Sequence, residues 1–313
     1  MGIGVRCYEN LKQFDGQAGF YYPQETVTRE QLNEFWKNAS EDARNGLEGV
    51  VLYRSEAGIT FVNQSLNRKE TGELIEAAGN MHLVVPGKLV KGSFVTDSDT
   101  KGCVISSKMA ENIFGDWDII GDEVLIGQKN YVIRGIVDME KSLCLVQGEN
   151  EKSYPYIRVD APRIPMSVVQ QMLAGLVSEN CEWISEGNLY YSAGCVLLCA
   201  PLWILLVRGV FRYRKAAQRL RNKTLGYILK MLVPIAGFAG GCALILVSFK
   251  FSDDYIPTVW SDFEFWTELI QQKREMIFLL LENPIQIADT IMFQNLFGMV
   301  VVSILFLLII MKY

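Results

Sequence analysis

Few side chains in this sequence have the types and spacing that catalysis or metal binding needs. The only histidine, His82, lies between Met81 and Leu83 in an apolar stretch, which is typical of a structural or surface histidine. The run Pro86-Gly87-Lys88 lacks the GxxxxGK[ST] spacing with which backbone amides enclose phosphates. GxSxG, HExxH and CxxC motifs are absent from the sequence, and its seven cysteines form no Cys/His cluster. We therefore expect a protein without catalytic activity, with no metal site and no cofactor of its own.

A cluster of basic residues is the clearest candidate for a functional segment. Its seven members lie close together, and no acidic residue occurs between Gly187 and Ser252. They are Arg208, Arg212, Arg214, Lys215, Arg219, Arg221 and Lys223. One interpretation is a topology signal that also touches anionic lipid headgroups. The other is a short helix that docks on a partner protein, with Phe211, Tyr213 and Leu220 supplying apolar contacts.

The basic cluster is flanked by apolar runs long enough to cross a bilayer. Residues 189–207 and 293–311 are each 19 residues without a charge, and residues 225–249 contain only Lys230. A helix of that length covers about 28 Å at about 1.5 Å per residue, close to the roughly 30 Å hydrocarbon core. The sequence therefore predicts an α+β extracytoplasmic domain over residues 1–188, followed by an all-α transmembrane region of three helices over residues 189–313.

Charge predicts how the spans are oriented. Short loops rich in Lys and Arg stay in the cytoplasm, so the connection 208–224 and the C-terminal Lys312-Tyr313 are expected inside. Residues 1–188 carry a net charge of −9 and residues 251–291 a net charge of −6. Both segments are expected outside, in a multi-pass protein of the cell membrane. Within the outer loop 250–292, the aromatic and apolar residues predict an interfacial amphipathic helix or a lid over a lateral groove.

Export of a large N-terminal domain needs a signal that the sequence does not show. Met1 to Arg6 is too short for the apolar part of a signal peptide. We expect either a preceding span outside this sequence or export that depends on the later spans, and favour the former. One disulfide is conceivable among the four outer cysteines, but spacing does not say which would pair.

Local signals predict the elements of the outer domain. Thr28 and Gln31 form a capping box before a helix. A hairpin is expected around Glu56-Ala57-Gly58, followed by a helix over Lys69–Ala78 and a strand over Met81–Val85. The next segment predicts a strand at Cys103–Ile105, a helix over Lys108–Phe114 capped by Ser106 or Ser107 and ended by Gly115, and then three more strands. Those strands are expected at Glu123–Ile126, Tyr131–Val137 and Leu143–Val146.

The segment from Asp99 to Ile136 resembles the outer core domain of MacB-type ABC permeases, a family that also includes FtsX-like and lipoprotein-release subunits. The similarity lies in the helix Ser-Ser-Lys-Met-Ala-Glu-Asn-Ile-Phe-Gly115, then Gly121-Asp-Glu-Val, then Tyr131-Val-Ile-Arg-Gly135. The family places a span before the outer domain, and this sequence has none. The residues that carry the resemblance are interpreted as scaffold: Ser106, Ala110, Phe114, Gly115, Gly121, Tyr131 and Gly135.

The resemblance implies a permease-type subunit of an ABC transporter. ATP and Mg²⁺ would then bind a separate cytoplasmic ABC ATPase, and this chain would pair with a second copy or a similar permease in the lipid bilayer. The coupling segment would consist of Phe211, Arg212, Tyr213, Arg214, Lys215, Arg219, Leu220 and Arg221. Gly237 and Gly241 permit close helix packing, either within the chain or across a dimer.

A membrane-anchored module that binds or senses an extracellular ligand without an ATPase is the alternative function. Nothing in the sequence points to nucleic acid as a partner.

Overall fold

The computed structural model describes residues 2–23, 27–150, 152–162, 164–177, 181, 183–218, 223–248, 255, 263–282 and 286–312. The chain divides into two compact units. A helical unit comprises residues 1–15, 186–259 and 289–313, and a sheet unit comprises residues 16–185 and 260–288. Residues 1–15, which we assigned to the outer domain by sequence, therefore cluster with the helices.

The described elements include both helices and strands as far as Glu186 and are helical afterwards. The helices are α1 (Gly2–Lys12), α2 (Arg29–Asn38), α3 (Glu41–Gly46), α4 (Ser107–Met109), α5 (Met166–Leu173), α6 (Gly187–Gln218), α7 (Lys223–Ser248), α8 (Phe263–Glu282) and α9 (Ile287–Lys312). The strands are β1 (Gln17–Tyr21), β2 (Val27–Thr28), β3 (Gly49–Asn63), β4 (Arg68–Gly79), β5 (Leu89–Gly92), β6 (Gly102–Ser106), β7 (Glu123–Ile126), β8 (Lys129–Val137), β9 (Leu143–Gln147), β10 (Ser153–Tyr154), β11 (Tyr156–Asp160) and β12 (Trp183–Glu186).

Ten of these strands form one mixed sheet, in which nine follow the order β12-β1-β11-β3-β4-β9-β6-β8-β5 and the tenth is β7. β7 pairs with both β3 and β8, and β2 pairs with β10 in a separate two-stranded ladder. Most neighbours are antiparallel, whereas β4–β9 and β6–β8 are parallel. The α+β class predicted for this domain is confirmed.

Two buried clusters form the core of the sheet unit. One is built around β1, β3 and β11 with α2 and α5, and includes Phe20, Leu52, Ile157 and Val169. The other lies around β6, β8 and β9 and contains the apolar side chains of the helix that follows β6. Met276 of α8 packs against the first cluster. Residues 250–292, where an amphipathic helix was expected, contain the 20-residue helix α8.

The predictions for residues 49–79 are wrong in two places. β3 is a single strand, and Gly58, with a φ of +82°, forms a bulge in it where a hairpin turn was expected. The predicted helix over Lys69–Ala78 is instead strand β4. It has many helix-forming residues, but its backbone is hydrogen-bonded to β3 on one side and β9 on the other. Long-range pairing therefore overrides local helix propensity.

The predicted strand over Met81–Val85 is also wrong, because Met81–Leu83 forms a 3₁₀ turn. The chain has just left β4 at Gly79, whose φ of +101° ends that strand. Three apolar side chains that suggested a strand are buried here by a tight turn: Met81, Leu83 and Val84.

The remaining local predictions are confirmed. Thr28 forms the capping box with Gln31. The helix after β6 begins at Ser107, continues as one π-helical turn from Ala110 to Phe114 and ends at Gly115 in the left-handed conformation. Strands β6, β7, β8 and β9 occur where the sequence predicts them, within about two residues.

The helical unit contains the three predicted membrane helices. The stretches long and apolar enough to cross a bilayer are Gly187–Tyr213, Met231–Ser248 and Ile287–Ile310, in α6, α7 and α9. The connection predicted over residues 208–224 is helical as far as Gln218, because α6 continues beyond its apolar part.

Candidate functional site

Three helices of the helical unit pack against one another through polar pairs. The hydroxyl groups of Tyr8 in α1 and Tyr191 in α6 lie 2.9 Å apart. The Asn10 side-chain amide in α1 donates to Asn295 Oδ1 in α9 at 3.1 Å. The Ser303 hydroxyl in α9 donates to the Leu197 carbonyl in α6 at 2.7 Å. Hydrogen bonds between helices resist rearrangement in an apolar environment, because a donor or acceptor that lost its partner would find no other there.

Glycines let these helices approach closely. A Cβ atom at Gly194 in α6 would lie 2.9 Å from Leu11 Cδ1, and one at Gly298 in α9 would lie 3.1 Å from Cys7 Sγ. The same holds for Gly4 in α1, where a Cβ would lie 3.2 Å from Val302 Cγ1. The N-terminal helix is thus fitted against both α6 and α9, a contact that the sequence analysis missed.

α1 and α6, which pack together, also continue into strands that pair with each other. α1 is followed after four residues by β1, and β12 passes into α6 with no residue between them. β1 and β12 are hydrogen-bonded neighbours in the large sheet. At the start of β1, the Gly16 carbonyl accepts a hydrogen bond from the Ala161 amide at 2.8 Å. A Cβ at Gly16 would lie 2.8 Å from Pro162 Cα, so the link after α1 lies tightly against the β11 end. Two short covalent connections therefore join the packed helices to neighbouring strands.

The described part of the basic segment is the end of α6. Phe211, Arg212, Tyr213, Arg214 and Lys215 lie on this helix, while Arg219, Leu220 and Arg221 lie outside the described residues. Phe211 and Tyr213 are 59% and 68% exposed. Aromatic and cationic side chains therefore project together from the end of α6, and a partner surface can reach them.

Close packing of α6 and α7 occurs at glycines. A Cβ at Gly237 would lie 2.5 Å from Val210 Cγ2, and one at Gly240 would lie 2.9 Å from Leu206 Cδ1. A Cβ at Gly241 would meet Trp203 only at 3.7 Å, which is an ordinary contact. Among the described residues, the glycines of α7 that pack most closely on α6 are thus Gly237 and Gly240, whereas Gly241, the second glycine of the GxxxG pattern, packs less closely.

Ser106 joins the motif helix, which runs from Ser107 to Phe114, to the sheet. Its hydroxyl oxygen is buried and accepts hydrogen bonds from the Met109 amide at 3.2 Å and from the Leu143 amide at 3.1 Å. The first bond caps the helix and the second holds the start of β9. Ala110 and Phe114 are buried in the adjoining core cluster. These side chains hold the helix on the sheet.

The other motif residues shape turns and close approaches. Gly115 has a φ of +76°, and its amide donates to two carbonyls of the preceding turn, as is common where a helix ends. Gly121 has a φ of +99° and donates to the Ile133 carbonyl at 2.9 Å. A Cβ at Gly135 would lie 2.5 Å from the Ser93 carbonyl oxygen. Tyr131 packs on the core edge, and its burial raises the pKa of the phenol.

One outer-domain cavity is lined in part by Gln147, whose side chain has an acceptor with no donor among the described residues. It has a volume of about 480 Å³ and is lined by residues that include Arg29, Lys101, Lys129 and Gln147. Gln147 is 6% exposed, and its Nε2 donates to Asp97 Oδ1 at 3.0 Å. Its Oε1 is buried and has no donor among the described residues. A polar molecule with an N–H or O–H group would satisfy this oxygen.

Comparison with known families decides what kind of protein this is. Residues 10–173, more than half of the chain, match the model of the MacB-like periplasmic core domain. The chain belongs to this MacB-like family. It is a permease-like membrane subunit of the MacB/FtsX type, with an extracytoplasmic N-terminal domain and three helices able to span a membrane.

Solved structures similar to this MacB-like chain include two domains of transporters. The periplasmic region of MacB from Actinobacillus actinomycetemcomitans is 15% identical, with 59% of this chain and 95% of that chain covered and a TM-score of 0.47. The extracellular domain of the noncanonic ABC-type transporter YknZ from Gram-positive bacteria is 18% identical, with 56% and 91% covered and a TM-score of 0.39. No curated protein matches the chain.

Proposed function

We propose that this chain couples ATP hydrolysis by a separate subunit to movement of its outer domain, for export or mechanotransmission. One observation carries the proposal. α1 and α6 are tied together as helices through the Tyr8–Tyr191 contact, and the strands that continue them, β1 and β12, are hydrogen-bonded neighbours. A shift or tilt of the helix pair would therefore reach neighbouring strands of one sheet through two connections at once.

The proposed driving force acts at the other end of α6. The basic segment lies on the cytoplasmic side in this proposal, because positively charged connections are retained there. A cytoplasmic ABC ATPase that binds ATP and Mg²⁺ would dock on the segment from Phe211 to Arg221. Exposed Phe211 and Tyr213 would supply apolar anchors among the cations. α6 would then act as a lever with the ATPase at one end and β12 at the other.

A second permease would complete the transporter, either as another copy of this chain or as a similar protein. Exposed apolar side chains on α7 offer one lateral surface for it: Met231, Ile235 and Phe238 are 63–76% exposed. The same surface would contact lipid acyl chains where no second permease covers it.

The test is co-purification from cells in mild detergent, with the bound proteins identified by mass spectrometry. The wild-type chain is expected to bring down an ABC ATPase. A variant in which residues 211–221 are scrambled keeps the same charge and therefore the same topology signal, but it loses the docking surface. We expect this variant to insert normally and to lose the ATPase. Stable insertion of the wild-type chain with no ATPase bound would refute the proposal.

A second function, a membrane-anchored module that binds an extracellular ligand, is favoured by the cavity around Gln147 and its buried unsatisfied oxygen. Such a module would tolerate scrambling of residues 211–221. It would instead lose activity when Gln147 is replaced by leucine, which removes the acceptor while nearly keeping the volume. The pair of variants thus separates the two functions.

A further inference from the structure

A groove lies between the ends of α6 and α9, in the helical unit. It has a volume of about 890 Å³. Three cationic residues line it on α6, Arg208, Arg212 and Lys215. Its apolar and aromatic lining comes from Leu205, Phe211 and Tyr213 of α6 and from Ile309 and Ile310 of α9. The groove therefore combines a cationic surface with an apolar one.

The cations lie on one face of α6 at helical spacing. Positions 208, 212 and 215 are separated by four and three residues, so their side chains project from the same side of the helix. The Arg208 guanidinium donates a hydrogen bond to the Ile310 carbonyl, which fixes this side chain beside the end of α9. No acidic residue occurs between Gly187 and Ser252 to neutralise the cations from the same helix.

With the first span taken to begin at Leu189, the groove lies at the depth of a lipid headgroup. Measured along α6 from Leu189, Arg208 is about 28 Å away, close to the edge of a roughly 30 Å hydrocarbon core. Arg212 lies about 6 Å farther and Lys215 about 10 Å farther, which spans the headgroup layer. Leu205 and Ile309, which are 50% and 56% exposed, face the groove nearer the hydrocarbon.

We propose that this groove binds one anionic phospholipid of the adjacent leaflet. The Arg208, Arg212 and Lys215 side chains hold its phosphate through charge-assisted hydrogen bonds, and Leu205, Ile309 and Ile310 contact the start of an acyl chain. Lipid is favoured over a protein partner, because Leu205 and Ile309 lie at the depth of the acyl chains. A soluble subunit does not reach that depth.

The site gives the coupling segment a second role. A lipid held between α6 and α9 bridges the two helices at the end where the ATPase would act. The inference uses the proposed topology of the spans and does not depend on the ATPase, because it concerns the isolated chain in a bilayer.

The experiment is native mass spectrometry of the full chain released from nanodiscs that contain phosphatidylglycerol and phosphatidylcholine. The wild-type chain is expected to retain phosphatidylglycerol in preference to phosphatidylcholine. Each cation near a membrane surface contributes about fivefold to affinity for anionic lipid, so loss of three predicts a drop of up to about a hundredfold. The groove variant is Arg208→Gln/Arg212→Gln/Lys215→Gln.

A matched control removes three positive charges from the next part of the same connection, as Arg219→Gln/Arg221→Gln/Lys223→Gln. We expect this control to retain phosphatidylglycerol like the wild-type chain. Should the triple groove variant fold poorly, Arg212→Gln/Lys215→Gln keeps the Arg208–Ile310 bond and still predicts a severalfold loss.

Three results would overturn the proposal. The first is equal loss of phosphatidylglycerol from the groove and control variants, which would mean general attraction to the charged segment. The second is the absence of any preference in the wild-type chain. The third is displacement of the lipid by excess inorganic phosphate, which would mean that the site recognises a free phosphate group without the acyl chain. Retention of the lipid under excess phosphate supports the proposal.

Discussion

Replacing Gly237 by alanine tests whether α7 is packed on α6 within one chain. The new Cβ would lie 2.5 Å from Val210 Cγ2, well inside the closest approach of two carbon atoms. Val210 cannot readily move aside, because a β-branched side chain in a helix is largely restricted to one rotamer. Overpacking of this kind costs about 1–3 kcal/mol.

Gly241→Ala is the matched control. A Cβ there would meet Trp203 at 3.7 Å, an ordinary contact, so no clash arises. Both substitutions gain the same helix propensity, up to about 1 kcal/mol, and this gain cancels when the two variants are compared. Gly237→Ala should therefore be about 1–3 kcal/mol less stable than Gly241→Ala.

The assay is denaturation of the purified chain in mixed micelles with increasing sodium dodecyl sulfate, followed by circular dichroism. A double variant, Gly237→Ala with Val210→Ala, should recover part of the loss because it removes the clashing Cγ2 atom. If Gly237→Ala and Gly241→Ala unfold at the same point, or if Gly241→Ala is the less stable, the close α6–α7 packing is wrong. That outcome would favour packing across a dimer.

Three further predictions concern the outer domain. Ser106→Ala should destabilise this domain by about 2 kcal/mol in urea unfolding, because the Met109 and Leu143 amides both lose their acceptor. The control Ser65→Ala, at an exposed serine, should leave the unfolding free energy unchanged. Equal effects of the two substitutions would contradict the role assigned to Ser106. Arg134 donates a hydrogen bond to Asp99 and lowers the pKa of that carboxyl, so the pair should stabilise the fold above about pH 4 and lose this effect as the pH falls through the folded-state pKa. Asp99→Asn should therefore be slightly less stable than wild type, by less than about 1 kcal/mol, at neutral pH and equal to it near pH 2; a difference that persists there would refute the linkage. Burial raises the pKa of the Cys144 thiol, so iodoacetamide should label Cys144 only after unfolding. A Ser65→Cys reporter at an exposed position should react at once. Rapid labelling of Cys144 in the folded chain would contradict its burial.

Local signals were sufficient for the motif helix of the outer domain. Ser106 as N-cap, Gly115 as the left-handed residue and the apolar residues between them all act within a few residues of one another. The adjoining strands β7, β8 and β9 were predicted for the same reason, since turn residues separate them. These elements also carry the family resemblance, so the fold of this segment and its identity came from the same residues.

Long-range contacts explain what the sequence did not reveal. Residues 68–79 have the composition of a helix, and their strand conformation depends on β9, which lies more than sixty residues later in the chain. Gly58 looks like a turn residue, but the pairing of β3 with β4 continues on both sides of it, with a shift of register at the bulge. Local propensity contains no information about the strands with which a segment will pair.

The same limit applies to the helical unit. α1 has no long apolar run, and its place is set by Tyr191 in α6 and Asn295 in α9, which are distant in the chain. A GxxxG pattern identifies glycine spacing and not the direction in which each glycine faces, so it pointed to Gly241 where Gly240 packs more closely. The basic segment, in contrast, was evident from charge alone.

The central claim is that the outer domain moves when a separate ATPase hydrolyses ATP. Spin labels at Ser65→Cys in the outer domain and Lys312→Cys at the end of α9 would report the distance between the two units by pulsed electron paramagnetic resonance. The background chain would carry alanine at the three cysteines that are not fully buried, Cys7, Cys181 and Cys242.

The measurement compares the complex without nucleotide and the complex trapped with ATP and vanadate, in nanodiscs. We predict a shifted distance distribution in the trapped state, and no shift when residues 211–221 are scrambled. An identical distribution in both states, while the ATPase is bound and hydrolyses ATP, would contradict the account.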